Sequence, residues 1–195
     1  TLSQMKRDMM AEVAATLAFS TIANNDKVGV IFFSNKVEKF IPAKKGKTHV
    51  LHIIRELLSF EPTSKGTDIA QALQYFANAQ KRHCTAFVIS DFIDSGAIYK
   101  PLLIASNRHE VNAIQIYDRR ETELPNVGLL KFRDAETGDD LWIDTAIAAV
   151  RQTYAQAWRR NQEEIEQLFT RTGVNHVSVR TDEDYVKALM QLFRC

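Results

Sequence analysis

The chain has 195 residues and is 45% hydrophobic, enough for one domain of the larger kind with a proper core and too apolar for a disordered tail. Its 25 Lys and Arg balance 24 Asp and Glu, so charge gives no reason to expect nucleic acid or an anionic membrane as partner. No apolar run approaches the roughly 20 residues that span a bilayer, and two cysteines, Cys84 and Cys195, make no disulfide framework, which favours a reducing compartment such as the cytoplasm.

Residues 3–24, SQMKRDMMAEVAATLAFSTIAN, carry Met5, Met9, Val13, Leu17 and Ile22 at near-helical spacing. They predict a well-buried, Ala-rich helix stopped by Asn24, Asn25 and Asp26. The run VGVIFFS, 28–34, predicts a strand buried on both faces, as in a parallel sheet. VEKFIPA, 37–43, alternates and contains Pro42, which predicts an edge strand paired with 28–34 through a tight turn. A helix is expected over 48–59, with Val50, Leu51, Ile54, Leu57 and Leu58 inward. The loop FEPTSKG follows, then a helix over 67–80.

TAFVISDFI, 85–93, is the second apolar strand, and it ends on Asp91. A helix over 97–108 and a strand, VNAIQIYD, over 111–118 come next. Residues 128–145, GLLKFRDAETGDDLWIDT, alternate on both sides of a Gly-bearing turn and predict a β-hairpin. Segment 146–172 puts Ile147, Val150, Tyr154, Trp158, Ile165, Leu168 and Phe169 on one helical face and charge on the other, with Gly173 as its cap. NHVSVRT, 175–181, is a last strand, and DYVKALMQLF closes as a helix. The alternation predicts a single α/β domain over 1–195: an open, doubly wound, mainly parallel sheet with helices on both faces, plus the hairpin.

In such a sheet, ligands gather beyond the carboxyl ends of the strands. Asp91 ends a buried strand, and Thr67 opens a helix within SKGTDIAQAL, 64–73, so both are expected to face one crevice. A carboxylate and a hydroxyl suit a hard divalent cation such as Mg²⁺. The same two residues also suit plain capping of their local turns. KKGKT, 44–48, lacks the earlier Gly of a phosphate-binding P-loop, where Ile41 stands, so Lys44, Lys45 and Lys47 are expected to form an exposed basic loop. His49 and His52 are spaced i, i+3 without a Cys or acidic partner close in sequence and read as a surface pair. His83, His109 and His176 are isolated. Asp94 reads as a loop or cap residue, and Asp134, Asp139, Asp140 and Asp144 as turn residues of the hairpin. No Gly-x-Ser-x-Gly elbow supports a hydrolase triad.

The order of these features resembles a von Willebrand factor A-type domain: a buried helix, NNDKVGVIFFS, the SKGTDIAQAL loop and helix, then FVISDFIDSG. The ending WRRNQEEIEQLFTRTGVNHVSVRTDEDYVKALMQLF is similar to the bacterial subfamily associated with MoxR-type AAA+ ATPases, domain of unknown function 58. The resemblance covers nearly the whole chain. It implies a metal-ion-dependent adhesion site on top of the sheet, with Thr67 and Asp91 as metal ligands. An Asp-x-Ser-x-Ser motif would supply the rest and is absent from this sequence. A partner protein would add an acidic group to the metal.

By family order the missing motif lies shortly before Thr1, after a first, central strand, so the expectation is an N-terminally truncated fragment. Strands 28–34 and 85–93 would then close on each other, leave a gap, or borrow a strand. Thr67 and Asp91 alone offer two oxygens, so Mg²⁺ or Mn²⁺ is expected in an intact protein and no stable metal here. The function implied is a non-enzymatic, metal-dependent protein-interaction module in the cytoplasm, acting with a MoxR-type ATPase in assembling or maturing another complex. The alternatives are an Mg²⁺-dependent α/β phosphotransfer or hydrolase domain using Asp91, and a metal-free structural scaffold.

Overall fold

The computed structural model of the chain describes residues 2–64, 66–93, 98–133 and 140–193. Asp94, Asp134, Asp139 and Cys195 lie outside them. The elements run α1 (Leu2–Asn24), β1 (Val28–Phe33), β2 (Val37–Lys44), α2 (Lys47–Ser59), α3 (Ile69–Ala79), β3 (Thr85–Ser90), α4 (Tyr99–Ser106), β4 (Glu110–Tyr117), α5 (Arg119–Thr122), β5 (Leu129–Arg133), β6 (Asp140–Asp144), α6 (Ala148–Thr172), β7 (Asn175–Arg180) and α7 (Tyr185–Leu192).

The protein is a mixed α/β structure in which a parallel sheet, ordered β3-β4-β7, forms the centre. Residues of β4 alternate between its two faces, as the period-two geometry of a strand requires. Val111 and Ala113 pack with Ile69, Leu73, Leu102, Ile165 and Phe169, from α3, α4 and α6. Ile114 and Ile116 pack on the other face with Val13, Leu189 and Leu192, from α1 and α7. Helices therefore cover both faces of this sheet.

The strands do not form one sheet. β1 pairs antiparallel with β2, β5 pairs antiparallel with β6, and among the described residues neither pair joins β3. Of the three outcomes anticipated for strands 28–34 and 85–93, the structure has the gap. The same helices nevertheless flank both parts. Phe33 of β1 and Val88 of β3 both pack on the α3 side, in the cluster of Ile69 and Leu73. On the opposite side α1 places Ala18 with Phe32 and Ile41, and Val13 with Ile114.

This division corrects several burial expectations. β1 is not buried on both faces: only Phe32 is fully buried and Gly29 is exposed, because among the described residues its ladder partner is β2 alone. Along α1, Val13 and Ala18 are buried while Met5 and Phe19 are exposed, since the helix lies across two part-sheets and touches each with few residues. In α2, Val50 and Ile53 face inward, whereas Leu51 and Leu58, rotated off that stripe, are exposed. Ile147 precedes α6 as its N-cap and is exposed. Gly173 closes α6 in the left-handed conformation, as expected.

Candidate functional site

The carboxyl ends of β3, β4 and β7 carry a connected polar network. Gln115, buried in β4, donates from Nε2 to the Asp91 carbonyl at 3.2 Å and accepts from Ser178 Oγ of β7 at 2.9 Å. One side chain thus ties the ends of all three parallel strands together, and each of its buried polar atoms has a partner. One residue beyond β4, Asp118 caps α5: its Oδ1 accepts from Arg120 N at 2.9 Å, and its own N–H donates to Glu121 Oε2 at 3.1 Å. This is a reciprocal capping box. Asp118 Oδ2 also accepts from Thr181 Oγ1, just past β7, at 2.8 Å.

Asp91 follows β3 directly. Its Oδ1 accepts weakly from Ile93 N at 3.4 Å, and its Oδ2 accepts from Lys6 Nζ of α1 at 2.8 Å. Lys6 Nζ also donates to Glu121 Oε1 at 2.6 Å, so one ammonium joins the end of β3 to α5. The three side chains are mostly buried, with 13% of Lys6, 27% of Asp91 and 19% of Glu121 exposed. Burial works against the Lys6 charge, but the hydrogen bonds to Asp91 and Glu121 outweigh it and hold the ammonium above its ordinary pKa. Tyr154 of α6 lies within the same field. Burial, then the Glu121 carboxylate, raises its phenol, while Lys6 acts in the opposite direction.

The turn that aims Asp91 is strained. Phe92 has φ 53°, in the left-handed region that a bulky L-residue enters at a cost. Its ring is held there by burial: it is 1% exposed and meets the Phe169 ring edge-on at 5.2 Å. Core packing therefore fixes the backbone on which Asp91 is mounted.

Thr67 stands elsewhere on this rim. The side chain is exposed, and the capping oxygen of α3 belongs to the next residue, Asp68, whose Oδ1 accepts from Gln71 N at 2.8 Å. The Asp68 N–H donates to Ser34 O at 2.8 Å, which places Thr67 near the end of β1. Among the described residues the partners of the Asp91 carboxylate are Lys6 and Ile93, and Thr67 is not one of them.

The described residues do not by themselves fit a divalent cation. No group of three or more His, Cys, Asp or Glu is placed to hold one, and the Asp91 carboxylate is engaged by Lys6. The remaining candidates are structural. His49 Nε2 sits 2.9 Å from the Val28 carbonyl and links α2 to β1, while His52 faces Glu56. His109 is buried beside Phe76, with Nδ1 3.6 Å from Cys84 Sγ. His176 lies against Phe169. Lys44, Lys45 and Lys47 are exposed, as expected, but Lys44 ends β2 and Lys47 opens α2, so only Lys45 of the three lies in a loop. Asp144 accepts from Ala146 N and Asp140 pairs with Lys131, so both serve the hairpin.

Residues 1–164 match the family model described as "Protein of unknown function DUF58". The chain belongs to the DUF58 family. An uncharacterized protein of Mycobacterium tuberculosis is 28% identical over 190 residues, covering 95% of this chain and 59% of that protein. An uncharacterized protein of Mycobacterium avium is 28% identical over 158 residues, covering 79% of this chain and 92% of that one. The chain thus spans 59% of the length of the Mycobacterium tuberculosis relative. Two solved structures share the fold. The conserved hypothetical protein BatB from Bacteroides thetaiotaomicron has a TM-score of 0.52 at 19% identity, over 94% of this chain and 86% of that chain. An aerotolerance-related membrane protein from Bacteroides fragilis has a TM-score of 0.55 at 16% identity, over 95% of this chain and 89% of that chain.

Sequence reasoning singled out Asp91 but not Lys6, Glu121, Gln115 or Asp118. The DRRE run at 118–121 has the spacing of a capping box and was a usable signal for two of them. Lys6 has no local signal at all.

Proposed function

We propose that this DUF58 chain is a non-enzymatic protein-interaction module of the von Willebrand A type, and that it meets its partner at the rim where β3, β4 and β7 end. The observation that carries the reading is the polar network of Asp91, Lys6, Glu121 and Asp118, built at the strand ends where open α/β sheets present ligand sites. The gap between β1 and β3, flanked on both faces by shared helices, supports a doubly wound sheet completed by one more strand. The partner we propose is a MoxR-type AAA+ ATPase in the cytoplasm. Its support is the resemblance of the C-terminal segment to the MoxR-associated subfamily.

Metal dependence belongs to this proposal only for a chain that also carries Asp-x-Ser-x-Ser, with Thr67 and Asp91 completing the ligand set. The second reading, an Mg²⁺-dependent phosphotransfer domain with Asp91 as acceptor, is disfavoured by the Lys6 and Ile93 contacts that occupy its carboxylate. The test is capture of a MoxR-type ATPase by a chain that also carries Asp-x-Ser-x-Ser, in Mg²⁺ and in EDTA, with Asp91→Ala and Thr67→Ala alongside. Loss of capture in both variants supports the site. Unchanged capture in both removes it, and capture by wild type that survives EDTA favours the metal-free scaffold.

A further inference from the structure

Lys6 does in this molecule what a bound cation does in a metal site. It holds two carboxylates from separate segments, Asp91 after β3 and Glu121 in α5, at 2.8 and 2.6 Å from one nitrogen. Both lengths are those of charge-assisted hydrogen bonds, so a single positive centre draws the two carboxylates together. The ammonium is carried by α1, whose Val13 and Ala18 are buried in the clusters on either side of the sheet gap. The helix is thus anchored a few residues from Lys6, and the cation is tethered at a high effective concentration. A dissolved ion has to displace it from both carboxylates.

We propose that Lys6 is the built-in cation of the Asp91–Glu121 pair, standing where a divalent metal would otherwise approach the two carboxylates and keeping that metal off them. The inference deepens the interaction reading and rests on its placement of Asp91 at the working rim. One positive charge facing two carboxylates leaves the cluster net negative. Removing the ammonium therefore leaves a pair able to attract a cation of higher charge. Tyr154 from α6 is an ionisable neighbour that feels both Lys6 and Glu121, and as a neutral phenol it leaves that charge balance unchanged.

The experiment is a titration of the chain with Mn²⁺, following the free-ion electron-spin-resonance signal and the melting temperature. Wild type should neither deplete free Mn²⁺ at millimolar concentration nor change its melting. Lys6→Met should bind Mn²⁺ on the order of tenfold more tightly or better, and its melting temperature should rise with the ion. Asp91→Asn in the Lys6→Met background should abolish both responses, which locates the ion. Lys6→Gln, a neutral polar replacement, takes the place of Lys6→Met if the latter does not fold. Wild type binding Mn²⁺ as tightly as the Lys6 variant overturns the proposal, and so does a folded Lys6 variant that binds none. A partner indifferent to Asp91→Ala would remove the interaction reading and leave the Mn²⁺ result standing.

Discussion

Replacing Phe92 tests the joint between the core and the site. Its side chain is 1% exposed, meets the Phe169 ring and shares a buried cluster with Ile98 and Leu102, so truncation to Ala removes a fully enclosed ring. Such truncations cost about 3–5 kcal/mol, from lost transfer energy and the cavity left behind. The backbone adds a second, opposite signature. At φ 53° any residue with a Cβ bears about 1–2 kcal/mol of left-handed strain, which Gly escapes. Gly is disfavoured against Ala by about 0.5–1 kcal/mol through its greater freedom in the unfolded chain. Phe92→Gly should therefore be as stable as Phe92→Ala or more stable by up to about 1.5 kcal/mol, the reverse of the order inside a helix or strand. Urea unfolding measures both: with a slope of about 2 kcal/mol per molar, Phe92→Ala should move the midpoint down by about 1.5–2.5 M. A Phe92→Ala loss under about 1 kcal/mol would rule out the buried-ring role, and a Gly variant clearly less stable than the Ala variant would rule out the backbone strain at Phe92.

Other positions give sharper single outcomes. Gly29→Ala puts a Cβ 2.7 Å from the Ile41 carbonyl oxygen and 2.8 Å from Ala43 N, both backbone atoms of β2, and should cost about 1–3 kcal/mol in denaturant unfolding. Asp118→Ala removes the α5 cap and leaves Thr181 Oγ1 without its acceptor, a loss of about 1–3 kcal/mol by the same measurement. His109 is buried, and desolvation, then the charges of His83 and Arg108, lower its pKa below the ordinary 6.5. The folded state resists protonation there, so this contribution to stability is fully present above pH 6.5 and is lost as pH falls below it towards the folded pKa. Melting temperature followed against pH should show that fall in wild type and a shallower one in His109→Leu.

The sequence was most legible where the physics is local. The apolar runs at 85–90 and 111–117, the alternation around the hairpin and the long amphipathic stretch of α6 all became the expected elements, because strand and helix periods are written in adjacent residues. α5 escaped notice because four residues carry no periodicity, although its capping box was visible in DRRE. VGVIFFS looked like a strand enclosed on both faces, but composition reports apolarity and not which neighbours supply the enclosure. The site divides the same way. Asp91 was found from its place at a strand end, whereas Lys6 lies 85 residues from Asp91 and 115 from Glu121 in sequence, and only the packing of α1 brings them together. Thr67, matched by motif, proved to sit next to the actual cap, Asp68.

We propose that the ends of β3 and β4 form the contact surface for a partner ATPase. Hydrogen–deuterium exchange of the protein alone and in complex with a MoxR-type ATPase would map that surface. Exchange at Asp91–Ile93 and Arg119–Thr122 should slow in the complex. Unchanged exchange at both, with protection confined to the exposed hairpin of β5 and β6, would contradict this placement.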